Sequence, residues 1–485
     1  ADIYFRAGRE AELADSLLDT GDPRKKNDKV MANFHKAYSF IRYENFAKYA
    51  EAEKLLREAL ALEDRAAYLY VTMSYLMEYQ NKYDSARYFA RRAEEIIPTW
   101  TVPKNILGNL YGEINQWEKS IAYHRQVLKM DSSFVWSYNN IGKAMLEMDR
   151  IREAETYFQQ SLDMKKNSLV ERLDRDWAIA YSNLGVIYKE RGLAAKAEQY
   201  FTMADSVDNS YSNSKRMLSE LYSAIDGEKA ALFLKKAIDV SPYEAENYYA
   251  MAELNRKYPL DKQSVQAADS LYRKAIELNP YNEWYYAGLG YLYSDKKNYA
   301  AALEQFQTAL GLSRRSSDAL YNLAFFYSLQ EKMDSAVIYY KQSLELNPYD
   351  IAIASEYADL LLSRGDTLAA EQRLVGTAAL QQQSPKSFYV LGNFYFKTDR
   401  LVKAMAAYKK SIAVDPSYTN ALKALLYTEL AAGNISSSRN ILRKLLLLDD
   451  APQLLTEYIH AVGEYSQKIP VDKRASWLSS FITLD

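Results

Sequence analysis

The chain of 485 residues has no cysteine and only three histidines. Without thiols there is no disulfide, no thiolate metal site and no cysteine nucleophile. His35, His124 and His460 lie far apart in the sequence, and none has the close helical partner of a metal motif. Charge of one sign is not in excess either: 61 basic residues face 63 acidic ones. That balance gives no electrostatic reason to expect nucleic acid. No apolar run reaches the ~18 residues of a membrane span. Phosphate loops and dinucleotide-binding glycine fingerprints are missing. Carboxylates are plentiful, but none stands out as an acid–base couple. The expectation is a protein that is not an enzyme and needs no metal or cofactor. The lack of cysteine in so long a chain leans toward a bacterial periplasm or cell envelope, with the cytoplasm next. The start at Ala1 suggests a chain that was processed, trimmed or cut from something longer.

What the chain does have is a period. A Leu-Gly or Leu-Ala pair followed by tyrosine returns about every 34 residues. It occurs at Leu107-Gly108…Tyr111, Leu184-Gly185…Tyr188, Leu289-Gly290…Tyr293, Leu323-Ala324…Tyr327 and Leu391-Gly392…Tyr395. A second set follows each pair: Ala52, Ala86, Ala154, Ala197, Ala230, Ala268, Ala302, Ala336, Ala370 and Ala404. Four residues on come large rings, as at Phe158, Phe201, Tyr272, Phe306, Tyr340 and Tyr408. Small residues let two helices approach closely, and the rings fill the space beside them. Pro98, Pro242, Pro280, Pro348 and Pro416 each close a unit, while Pro103 and Pro385 fall in first helical turns, where a missing N–H costs little.

These residues and spacings resemble the tetratricopeptide repeat over residues 33–452. The resemblance implies an all-α, right-handed superhelix of about twelve helix hairpins. Residues 1–32 then form an N-terminal helical cap or partial repeat, and residues 453–485 form capping helices. Two units are longer than the period, with insertions near 166–174 and 257–264. The expected function is a non-catalytic scaffold or adaptor that binds a protein or peptide segment in its concave groove. Two alternatives are the regulatory or sensor array of a larger enzyme, such as a caspase-like peptidase, kinase or transferase, and a bacterial envelope assembly or secretion factor. The phrases Tyr83-Asp84-Ser85-Ala86 and Met333-Asp334-Ser335-Ala336 look like Bacteroidota repeat proteins.

In this family the first helix of each hairpin faces inward, and the resemblance implies ligand contact at repeat positions 2, 5, 9, 12 and 13. Tyr68, Tyr75 and Tyr79 fall there, as do Asn105, Asn109, Trp136, Asn139 and Lys143; Asn140 and Asn183 stand beside them. Asparagine amides both donate and accept, matching the peptide groups of an extended chain, and the rings add area at low entropy cost. Lys143, Lys189, Lys215 and Arg216 would favour an acidic segment. A second inward group, Tyr249, Trp284, Tyr291, Tyr321, Phe325 and Tyr389, marks a second candidate groove. The family's Hsp90-type carboxylate clamp is not matched: its nearest counterpart, Asn105/Asn109, Asn140, then Ile179/Asn183, lacks every cation.

Overall fold

The computed structural model describes residues 26–42, 45–164, 174–313 and 316–448, together with 460 and 462–463. Among them are twenty-four α-helices and no strand. They pair as twelve antiparallel hairpins. Hairpins 1 to 6 are Lys26–Arg42 with Tyr49–Leu62, Ala67–Tyr79 with Tyr83–Ile96, Thr101–Glu113 with Trp117–Met130, Val135–Glu147 with Ile151–Asp163, Asp174–Glu190 with Ala194–Val207, and Ser212–Tyr222 with Gly227–Val240. Hairpins 7 to 12 are Ala245–Lys257 with Lys262–Leu278, Glu283–Asp295 with Tyr299–Leu312, Ser317–Leu329 with Met333–Leu346, Ile351–Ser363 with Thr367–Leu380, Pro385–Lys397 with Leu401–Val414, and Thr419–Ala431 with Ile435–Leu448.

The repeat pattern explains each hairpin. All ten alanines of the second-helix set are fully buried. In hairpins 4, 5, 8 and 11 the ring four residues on packs over the glycine of the first helix. A methyl placed on Gly142 would lie 2.6 Å from Phe158, and one on Gly290 would lie 2.8 Å from Phe306. In hairpin 3 a histidine takes the ring's place: His124 is fully buried and would sit 2.6 Å from a methyl on Gly108. Burial holds its imidazole down at about 4, so it packs as a neutral ring.

Helix lengths depart from the period at four points, one of them the short first helix of hairpin 6, with 11 residues. The first helix opens at Lys26, ahead of the expected boundary at 33. The first helix of hairpin 5 runs from Asp174 for 17 residues; the rest of the expected insertion near 166–174 lies outside the described residues. The extra residues near 257–264 are taken up by a turn capped by Asp261, whose carboxylate accepts from the Ser264 N–H at 2.7 Å, and by a second helix of 17 residues. Of the expected end segments, 1–25 and most of 453–485 lie outside the described residues.

The superhelix closes on itself. Turns inside hairpins 2 to 5 meet the loops that lead into hairpins 8 to 12. Asn81 donates to the Tyr281 carbonyl at 2.6 Å, and Tyr281 stacks on Tyr49 at 6.2 Å. Tyr349 reaches Glu118, and Ser384 reaches Asp149. Arg191 pairs with Asp415 at 2.8 Å and with Glu155 at 2.8 Å, while the Thr419 N–H and hydroxyl both donate to its carbonyl. Apart from the neighbouring-hairpin pair Arg191–Glu155, these contacts are 200 to 235 residues apart in sequence, so one superhelical turn takes about six to seven hairpins.

Candidate functional site

Closure of the turns creates a chamber of about 550 Å³. One wall comes from the first helices of hairpins 2 to 4, with Glu78, Asn109, Glu113, Trp136, Asn140, Lys143 and Glu147. The opposite wall comes from the entrances of hairpins 8 to 10, with Glu283, Trp284, Asp318, Asn347 and Asp350. An adjoining lobe of about 420 Å³ adds Tyr75, Tyr79, Asn81 and Tyr281.

The two expected residue groups are redistributed by this geometry. Trp284, from the second group, lines the same chamber as Trp136, and the two are 42% and 38% exposed. Asn140 donates to Asn109 at 2.9 Å, joining adjacent hairpins. Asn139 is a correction: it is 2% exposed and donates to the Asp176 carbonyl at 3.0 Å. The lengthened helix that opens at Asp174 covers it, so it serves packing and has no surface to offer a ligand. Asn105 is half-buried, its side-chain oxygen lacking a donor, and Asn183 is half-buried outside the chamber. Tyr68 packs edge-on against Phe34 at 4.9 Å, also outside it.

The rest of the second group is largely tied up in ring contacts. Tyr291 meets Phe325 at 5.6 Å and donates to Asn322 at 2.5 Å. Tyr321 donates to Glu356 at 3.0 Å, and Tyr389 packs on Tyr418 at 5.7 Å. Tyr249 lines a separate cavity of about 530 Å³ with Met217, Ala250 and Leu254.

The expected bias toward an acidic ligand is also corrected. Lys189 is paired with Glu220 at 2.7 Å, Lys215 is buried on Asp205 at 2.5 Å, and Arg216 is held by Glu244 at 2.6 Å. Among the described residues that line the chamber, Lys143 is the one cation, against six carboxylates. Burial, aided by Glu113, pushes Glu78 up to about 8; burial, aided by Asp350, Glu283 and Glu147, pushes Asp318 up to about 7. Glu147, Glu283 and Asp350 are raised as well, with burial the main cause. These side chains keep some accessible surface, so the penalty is that of a walled, charge-crowded chamber and not of a dry core.

Repeat-family models match residues 135–171, 271–304, 288–351 and 385–418, each described as a tetratricopeptide repeat. This chain carries tetratricopeptide repeats. The human Protein O-mannosyl-transferase TMTC3 is 24% identical over 321 residues, 65% of this chain. The chain covers only 32% of that protein's length. The TPR repeat-containing protein MJ1428 of Methanocaldococcus jannaschii is 19% identical over 452 residues, covering 87% of this chain and 77% of the relative. Among solved structures, yeast Tom70 aligns at 15% identity with a TM-score of 0.45, over 87% of this chain and 100% of Tom70. The tetratricopeptide array is a protein-interaction fold. Among the described residues, no helix is long and apolar enough to cross a membrane, and no cluster of His, Asp or Glu is arranged to hold a metal ion.

Proposed function

We propose that this tetratricopeptide array is a non-catalytic scaffold that holds a protein segment in the chamber between its superhelical turns. The observation that carries this reading is the pair Trp136 and Trp284. Both stay about 40% exposed and come from hairpins 4 and 8, yet they line one cavity. The hairpin motif requires neither ring, and exposed tryptophans in a concave site are anchors for a partner. Asn109 and Asn140 stand on the wall beside Trp136 to hydrogen-bond a peptide backbone. A nucleic-acid backbone or a free C-terminal carboxylate would meet six carboxylates there, which favours neither as the ligand.

A photo-crosslinking residue at Trp284 tests this, with one at the outward, 58% exposed Tyr88 as its reference. The Trp284 position is expected to trap a protein segment and Tyr88 not to. Equal trapping at both, or none at Trp284, overturns the reading. A second reading, the repeat region of a larger enzyme, is favoured by the match to about a third of the mannosyl-transferase. It predicts glycosyl transfer activity only when the array is joined to a catalytic domain.

A further inference from the structure

Resting on that reading, we propose that the bound segment is cationic: lysine or arginine side chains enter the chamber, their heads among its carboxylates and their stems against Trp136 and Trp284. Among the described lining residues, Glu78, Glu113, Glu147, Glu283, Asp318 and Asp350 stand against one cation, Lys143. By contrast, Asp205 is matched by Lys215 and Glu244 by Arg216. Glu113, Glu147 and Asp318 have no hydrogen bond or salt bridge among the described residues. Like charges gathered without counter-charge raise the free energy of the empty chamber, and a cation relieves that repulsion.

A second feature points to a ligand independently of charge. Trp117 forms part of the chamber wall and is 7% exposed, and its indole N–H has no acceptor. A buried donor left unsatisfied is costly; its nitrogen has under 1 Å² of accessible surface, so an entering backbone carbonyl would supply the acceptor once the ring turns toward the chamber. The exposed faces of Trp136 and Trp284 suit guanidinium or ammonium groups, which are attracted to indole rings. The carboxylates are spread over walls from two superhelical turns and are not gathered as a metal cluster, so their spacing fits an extended organic cation.

The pH dependence of binding follows. Among the described residues, the titrating groups lining the chamber are the six carboxylates, Lys143 and Tyr83, whose phenol burial raises, with Lys386 acting on Glu147 and Asp350; His124 is neutral throughout. Glu78 and Asp318, at about 8 and about 7, are partly protonated near neutrality. A cation stabilises their ionised forms, so binding releases protons and tightens from about pH 6 to about pH 8.

The test is fluorescence anisotropy on the full chain with three labelled peptides of equal length: lysine/arginine-rich, neutral and glutamate-rich. The basic peptide is expected to bind at least about tenfold tighter than the others, weakening as salt rises. Combining Glu113→Gln, Glu147→Gln and Asp318→Asn is expected to weaken it at least about tenfold and flatten its salt and pH dependence. These near-isosteric changes remove repulsion, so folding is retained and is checked by circular dichroism. Glu345→Gln, on an outer helix, is expected to change nothing. Equal affinity for the glutamate-rich peptide, indifference to the triple change, or displacement of the basic peptide by millimolar Ca²⁺ would each overturn the cation proposal. If Trp284 crosslinks a neutral or acidic segment while the basic peptide fails, the cation proposal falls and the scaffold reading stands. If no peptide binds and Trp284 traps nothing, both fall.

Discussion

At the scale of single residues, the hairpin turns hold a small reservoir of strain. Among the described residues, nine turns place one residue at positive φ, always two positions past the end of the first helix: Asn81, Asn115, Asp149, Gly192, Lys297, Glu331, Gly365, Asp399 and Gly433. Glycine, asparagine and aspartate tolerate this region. Lys297 at φ 59° and Glu331 at φ 56° do not share that tolerance, and both side chains are exposed. Lys297→Gly and Glu331→Gly are each expected to stabilise the chain by about 0.5–1 kcal/mol in denaturant titration. The same turn at Asn81 is less free to change, because its amide reaches Tyr281 in the next superhelical turn. At this scale the sequence was legible where a residue repeats a motif position. It was not legible at Asn139, whose burial depends on a neighbouring helix starting early.

At the scale of the element, hairpins 3, 4, 5, 8 and 11 each lay one ring over one glycine, while hairpins 1, 2, 6 and 10 carry leucine or alanine at the ring position. Phe306 is fully buried against Gly290, so Phe306→Ala leaves a cavity and is expected to cost about 3–5 kcal/mol. Equilibrium unfolding checks this. The walls of the chamber behave differently, because their charges oppose the fold. Glu78 and Asp318 titrate well above ordinary carboxylates. A carboxyl raised in the folded state favours folding when protonated, and that contribution is lost as pH rises from about 4 through the folded values of about 7 to 8. The melting temperature is therefore expected to be higher at pH 6 than at pH 8. Glu78→Gln should raise it at pH 8 and narrow the difference. An unchanged difference would mean that Glu78 does not carry it. Part of this acidic wall was present in the inward register: Glu78 and Glu147 occupy inward positions, and so do Glu113 and Asp318 when the frame is counted from the hairpin starts. Reading those positions for charge as well as for amides would have found them.

At the scale of the molecule, the contacts between turns decide the shape. Arg191 and Asp415 are 5% and 3% exposed at their side chains. Burial alone would raise Asp415, but the adjacent guanidinium outweighs it and holds the carboxylate below its usual range. Removing one partner of such a buried pair costs about 3–5 kcal/mol, because the other charge is left unpaired. Arg191→Met is expected to separate hairpin 5 from the entrance to hairpin 12 and to enlarge the radius of gyration measured by small-angle X-ray scattering. It should also weaken ligand capture, because the chamber needs both turns. An unchanged radius with intact helicity would show that the remaining contacts at Asn81, Glu118 and Asp149 suffice.

The sequence by itself determined the hairpins: their number, their inward faces and the ring-on-glycine contacts that hold five of them. Those contacts join residues within one repeat or the next, so spacing alone specifies them. Only the tertiary structure decided that Trp284, Glu283 and Asp350 would face Trp136, Glu113 and Glu147. That meeting depends on a small rotation per hairpin, summed over about six to seven of them. No local pattern encodes the sum, and a slight change in it would carry the two walls past each other.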